Sequence, residues 1–266
     1  MEREPLGFDP STPNVARLYD YFLGGKDHFP ADREAAEQIL RVAPEVRAAA
    51  RANRAFLERA VHELAAAGVT QFLDLGTGLP TRRSVHEMAR EVAPGARVVY
   101  VDRDPVVLVH GRAMLAGEGT AVVYGDVCKP GEILRSPEVL RTIDFGRPVA
   151  ILLLAVMHFV SDADDPGRIL ATLREAVAPG SHLVISHAAS DARAAAVRKG
   201  VEVYQRTTSP LSPRDRERVA AMFEGWELVE PGLVWLPQWR PAPADTIDFA
   251  DSPESSLALC GVGRKP

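Results

Sequence analysis

After Gly68 the chain alternates between short apolar runs and stretches of helical periodicity, and this alternation limits its fold more than any other feature. The runs are QFLDL (71–75), RVVYVD (97–102), AVVYGD (121–126), VAILLLA (149–155) and HLVISH (182–187). Between them lie helical segments such as 82–92, with Val85, Met88, Ala89 and Val92 on one side, and 166–177, opened by Asp165 and Pro166. Val-, Ile- and Leu-rich strands that alternate with helices pair in parallel and are covered on both faces. The expected core is therefore a doubly wound, mostly parallel α/β sheet. The tail departs from this rhythm: WELVEPGLVWLPQW (226–239) and SSLALCGVGRK (255–265) have no helix between them. They predict an antiparallel C-terminal edge, with 237–254 as an exposed loop.

Residues 1–67 are helical instead and predict an N-terminal cap, with 68–266 as the α/β domain. NVARLYDYFLGGKDHF (14–29) holds four aromatics and is too apolar for a disordered leader. At helical spacing Val15, Leu18, Tyr19 and Phe22 form one stripe, while Asn14, Arg17 and Tyr21 share another. Gly24-Gly25 then ends the helix. Residues 44–67 predict a long helix whose apolar face is interrupted by Asn53, so a buried Asn53 needs a partner. A net charge of −5 argues against general affinity for nucleic-acid backbones. With two cysteines, Cys128 and Cys260, in no metal-like or redox-like pair, a reducing cytoplasm is the expected setting and both thiols are expected to be inert and buried. No apolar run is long enough to span a membrane.

Ligands of open α/β sheets bind beyond the carboxyl ends of the strands. The first strand runs into FLDLGTGLPT (72–81), where Asp74 closes the strand and Gly76 and Gly78 permit a tight turn with close backbone approach. The third glycine of a dinucleotide fingerprint is replaced by Leu79-Pro80. Asp102 ends the second strand, 28 residues after Asp74, where a carboxylate can accept both hydroxyls of a ribose. Asp126 follows the third strand, where it and a neighbouring N–H could bracket an adenine edge. Singly, each Asp also suits a strand-end turn. Three at successive strand ends point to a nucleotide-like ligand.

FLDLGTG, VVYVDRDP, VVYGDV, AVMHFV and VAPGSHLVIS, in this order, resemble the motifs of class I S-adenosylmethionine-dependent methyltransferases, which have a Rossmann-like sheet. NVARLYDYFLGGKDHFPADRE, ANRAFL (52–57) and the terminal GVGRK resemble, more narrowly, the S-adenosyl methyltransferase family of GC-rich bacteria. The resemblance implies that Asp74, Gly76, Thr77 and Gly78 lie beneath the methionine part of S-adenosylmethionine. It implies that Asp102 holds the ribose, that Arg103 flanks the adenine, and that Asp126 with Val127 reads the adenine edge. It places the Ala155 backbone near the cofactor's amino group. Pro80, in place of a glycine, is the departure from the pattern.

Methyl transfer from a sulfonium is an in-line displacement, so a base is optional. His158 is the first candidate by position and His187 the second, with a structural hydrogen-bonding role as the alternative. The segment after the fourth strand lacks the Asn/Asp-Pro-Pro-aromatic pattern of nucleobase and amide methylation, and Cys128 lacks the preceding proline of cytosine-C5 enzymes. A small-molecule O or N nucleophile is the expected acceptor. No metal site is expected. Arg47, Arg51 and Arg54 form a basic helical face; of these Arg54 could pair with the methionine carboxylate. Trp235, Trp239 and Arg240 could line an acceptor pocket. As a flap over the site, the first helix would turn Arg17 and Tyr21 to the pocket and anchor itself by Leu18 and Phe22. The alternatives are a non-catalytic S-adenosylmethionine-binding sensor or scaffold and a dinucleotide-dependent oxidoreductase, the latter disfavoured by the lost glycine.

Overall fold

The computed structural model describes residues 8–81, 83–191, 194–241 and 248–266. Part of the expected loop, 242–247, lies outside the described residues. Three helices come first. α1 (Val15–Phe22) starts where the Asn14 side chain accepts the Ala16 N–H, and it stops at Leu23 before Gly24, whose φ of +79° suits glycine. α2 (Pro30–Val42) opens on proline, and α3 (Val46–Ala66) runs on to the left-handed Gly68.

The alternation follows as β1 (Gln71–Leu75), α4 (Val85–Val92), β2 (Arg97–Asp102), α5 (Pro105–Met114) and β3 (Thr120–Tyr124). α6 (Pro130–Leu134) and α7 (Pro137–Thr142) lead to β4 (Ala150–Leu154); α8 (Pro166–Ala176) leads to β5 (His182–Ala188). α9 (Ala194–Tyr204) and α10 (Arg216–Ala221) precede β6 (Glu227–Leu228), β7 (Val234–Trp235) and β8 (Ala258–Arg264). These strands form one sheet in the order β3-β2-β1-β4-β5-β8-β6, with β7 also on β8. β1 to β5 pair in parallel, whereas β8 runs antiparallel to β5 from Ala188↔Ala258 to His182↔Arg264. The antiparallel edge is thus present, but its long strand is internal and its outer strands are two residues each.

Period-two alternation divides the sheet between two cores. Phe72, Val98, Tyr100, Ala150, Leu152 and Val184 face α3 and α4. Leu73, Val99, Val101, Ile151, Leu153 and Ile185 face the opposite layer, where Ile133, Val139, Ile169 and Leu173 of α6, α7 and α8 cover them. Phe56, Leu57, Val61 and Leu64 of α3 lie in the first core, each contributing about 1.5–3 kcal/mol of burial. α3 therefore belongs to the sheet's own helical layer by packing, although its sequence precedes residue 68. A separate small core of Leu18, Phe22, Ala35, Ala36, Ile39 and Ala50 joins α1 and α2 to the N-terminal end of α3.

Candidate functional site

Strand order reverses between β1 and β4, and a cavity of about 300 Å³ opens beyond their carboxyl ends. The same alternation that builds the cores supplies its polar floor. Asp74 lies two residues beyond Phe72, Asp102 two beyond Tyr100 and Ser186 two beyond Val184, so all three project on the α3 side at the strand tops. α3 faces them with Asn53, Arg54 and Leu57, all lining the cavity. Gly76, Thr77, Gly78, Arg103, Asp126, Val127, Ala155 and His158 line it as well.

The glycine turn is required by geometry. Gly76 (φ +72°) would place a Cβ 2.5 Å from Val156, whereas Gly78 (φ +68°) has nothing within 4 Å of a Cβ and presents bare backbone. Asp102 accepts the Gly78 N–H (2.9 Å) through Oδ2 and the Asp104 N–H (2.9 Å) through Oδ1, which fixes the carboxylate and leaves further lone pairs. Burial nevertheless raises its pKa. Burial also pushes the Asp74 carboxyl up to about 6, against the Thr77 hydroxyl at 2.8 Å and the nearby Arg54 charge. Burial opposes ionisation of Asp126 too, but the Cys128 N–H (3.0 Å) and Arg103 (3.2 Å) outweigh it and hold that carboxyl below its usual range. The Val127 N–H between them has no hydrogen bond among the described residues. Arg54 donates to the Arg83 carbonyl (2.6 Å), and Arg103 also donates to Ser209 (2.7 Å).

Asn53, the polar break in an apolar stripe, has the partners it needs. Its Nδ2 donates to the Tyr19 hydroxyl (2.9 Å), which donates to the Ala50 carbonyl (3.1 Å); its Oδ1 accepts from Ser186 (2.6 Å). Ser186 in turn accepts the Ala155 N–H (2.8 Å). One hydrogen-bonded chain thus runs from α1 through α3 to the end of β4. Ala155 is held there at φ +56°, a strained conformation for a residue with a Cβ.

The two histidines have tautomers fixed by obligate donors. The Ala188 N–H points at His158 Nδ1 (3.1 Å), so the proton of the neutral ring sits on Nε2. Arg214 points at His187 Nε2 (3.0 Å), so His187 carries its proton on Nδ1 and gives it to the Ala188 carbonyl (2.8 Å). Burial, with neighbouring charge against it, holds His158 well below its usual value and His187 at about 4. As a general base toward the cavity, His158 is therefore contradicted: its free nitrogen already bears a proton. It is placed to donate.

The flap expectation needs a second correction. Arg17 and Tyr21 do not line the cavity. Arg17 is buried against Asp32 (2.9 Å) and against the packed pair of Phe8 and Phe29 rings, which ties α1 to α2. Tyr21 donates to Glu37 and lies under Arg47. The stripe assigned to anchoring carries the wall: Val15, Tyr19 and Phe22 line the cavity with Asn14, and only Leu18 is purely core. Gly25 packs where a Cβ would meet the Asp20 carboxylate, which receives the Asp27 N–H (3.0 Å). Trp239 is core against Phe56, and neither Trp235 nor Arg240 reaches the cavity. Cys260 is buried as expected, but Cys128 is half-buried and lines the cavity, its thiol pushed up to about 11 by burial and Asp126. Val197, Gly200 and Tyr204 of α9, with Ser209 and Leu211, are wall residues that sequence reasoning missed. Their one signal is apolar periodicity, which any packed helix shows. No group of metal-ligating side chains occurs among the described residues.

An internal antiparallel strand beside five parallel ones, with carboxylates at the first three strand ends around a glycine turn, defines the class: a class I S-adenosylmethionine-dependent methyltransferase. The chain belongs to the S-adenosyl methyltransferase family, which it matches over residues 1–266. Among solved structures it is similar to a Thermobifida fusca protein assigned as a methyltransferase (43% identity, all of this chain and 99% of that one, TM-score 0.89). It is also similar to a DUF574 family protein of Streptomyces avermitilis (41% identity, 97% of this chain and 99% of that one, TM-score 0.91). Human N-acetylserotonin methyltransferase, solved with its S-adenosylmethionine, shares the fold alone (13% identity, 95% of this chain and 63% of that one, TM-score 0.50). No match was found among functionally curated proteins.

Proposed function

We propose that this methyltransferase binds S-adenosylmethionine along the β1, β2 and β3 ends and methylates an O or N nucleophile of a small metabolite enclosed beneath α1 and α2. The observation that carries the assignment is the meeting of Asp74, Asp102 and Asp126 with the bare Gly78 backbone in one cavity. The residues fit the cofactor. Asp102 has spare lone pairs for two ribose hydroxyls, and Asp126 with the unused Val127 N–H offers an acceptor and a donor to an adenine edge, with Arg103 alongside. Asp74, buried at a cost, suits the cofactor's ammonium; Gly76, Thr77 and the Ala155 backbone border the same space, and Arg54 suits the carboxylate. Bound there, the cofactor supplies an electrophilic methyl group. The protein aligns the acceptor and excludes water, for which α1, α2 and α9 close the cavity. Residues 1–67 then act with the α/β domain as parts of one site. Neither the sensor nor the oxidoreductase alternative is favoured by the family. Calorimetry with S-adenosylmethionine, S-adenosylhomocysteine and NAD tests the assignment: tight NAD binding without affinity for the other two would overturn it.

A further inference from the structure

The acceptor half of the cavity has a chemical character of its own. Phe22, Ile39, Val46, Phe159, Tyr204 and Leu211 give it apolar walls from α1, α2, α3, α9 and the segments after β4 and α9. The charged residues that line the cavity, by contrast, are Arg54 and the strand-end groups from Asp74 to Asp126. A charged side group set against these walls would be buried with neither a counter-ion nor a hydrogen-bond donor, so they suit a neutral, apolar skeleton.

Two polar hydrogens interrupt these walls. His158 carries its proton on Nε2, because the Ala188 N–H occupies Nδ1, and that Nε2–H has no partner among the described residues. The Tyr204 hydroxyl likewise has none, and burial raises its pKa so that it stays protonated. Both rings pack on Phe159, with centroids at 4.4 Å for His158 and 5.6 Å for Tyr204. His187 stands edge-on to His158 at 5.5 Å, held neutral by burial and by the nearby Arg214 charge, so neither ring readily takes up a proton. These are donors without a base. Such a pair stabilises negative charge on an oxygen and cannot generate it.

We propose that the acceptor is an aromatic or enolic compound with an acidic hydroxyl, bound as the oxyanion between His158 Nε2–H and Tyr204 O–H. The hydroxyl proton goes to water as the oxyanion is bound. In transfer the oxyanion's lone pair forms the new C–O bond while the C–S bond breaks, its electron pair staying on sulfur as a neutral thioether. No protein group needs to accept a proton in that step.

This inference rests on the methyltransferase assignment, and one experiment separates the two. 4-Nitrophenol, whose phenolate is coloured, is titrated against the protein saturated with S-adenosylhomocysteine, with benzoate and benzylamine as charged comparison probes. The bound phenol should ionise about one to two pH units lower than free phenol, the worth of hydrogen bonds to a charged oxygen. Tyr204→Phe and His158→Leu should each remove much of that shift, with affinity for S-adenosylhomocysteine retained as the measure of a folded site. An unshifted bound phenol, a shift unaffected by both substitutions, or preferential binding of benzoate or benzylamine would overturn the acceptor class alone. Loss of S-adenosylhomocysteine binding by the unmodified protein would overturn the cofactor assignment beneath it.

Discussion

With Asp74 proposed to face the cofactor's ammonium, its burial predicts a pH-dependent cofactor affinity of definite sign. Its carboxyl is raised by burial from 3.8 to about 6, so in the empty site near pH 5 it is mostly protonated. A bound ammonium favours the carboxylate and draws that pKa back down. Binding then releases a proton, and affinity must rise with pH between the two pKa values and level off above the higher one. Complete reversion to 3.8 spans 2.2 units, about 3 kcal/mol as an upper bound, and gives about a ninefold rise in affinity between about pH 5 and pH 7. Calorimetry with S-adenosylhomocysteine in buffers of differing ionisation enthalpy reads both the affinity and the proton release. Asp74→Asn should bind more weakly at pH 7 and lose this slope. The substitution should also act on stability. A raised folded-state pKa contributes stability that is complete below the unfolded value and lost as pH rises through about 6. The empty Asn variant should therefore be more stable than wild type at neutral pH, by up to about 3 kcal/mol, and show almost no gain near pH 3. An affinity that is flat or falling from pH 5 to pH 7, or an Asn variant with the wild-type slope, would refute the reasoning.

Asp102→Ala should weaken S-adenosylmethionine binding by about 1.5–3 kcal/mol, the worth of hydrogen bonds to a charged acceptor, and unchanged affinity in a folded variant would remove the ribose assignment. Asn53→Leu strips the buried Ser186 hydroxyl of its acceptor and Tyr19 of a donor, so thermal melting should show a loss of about 1–3 kcal/mol; an unchanged melting temperature would mean that the chain of hydrogen bonds carries no net stability. Deleting residues 1–29 removes α1, a wall of the cavity, but leaves the two sheet cores intact. The truncated protein should keep its α/β circular dichroism and lose cofactor binding, and retained binding would reduce α1 to a docking helix.

The sheet was legible in the sequence because a strand covered on both faces has to be apolar throughout. Ala150, Ile151, Leu152 and Leu153 are all fully buried, a run of burial that no helix shows among the described residues. The strand-end acids were legible for a related reason. Asp74, next to last in β1, and Asp102, last in β2, are polar residues at the tops of apolar strands, where a doubly wound sheet has its crevice. Tail topology was less so, since β6 and β7 are two residues each and take their place from pairing with β8, a long-range contact that local pattern does not encode.

The cap failed in an instructive way. A helical wheel separates α1 into stripes but cannot say which neighbour each stripe meets, and an eight-residue helix packed against α2 and α3 beside a cavity has little surface left for solvent. Arg17, expected to face the pocket, is buried because Asp32 reaches it from α2 and Phe8 and Phe29 cover it. Tyr19, assigned to the apolar back, turns its hydroxyl to Asn53 because α3 brings there an amide that cannot be left unpaired. The decisive information was carried by the residue that broke its own pattern. Asn53 spoils an otherwise apolar helix face, and the partners that satisfy it are the cap, the β5 end and, through Ser186, the strained Ala155 at the cavity wall. The α1 cap and the backbone of Ala155 are thus joined by three hydrogen bonds.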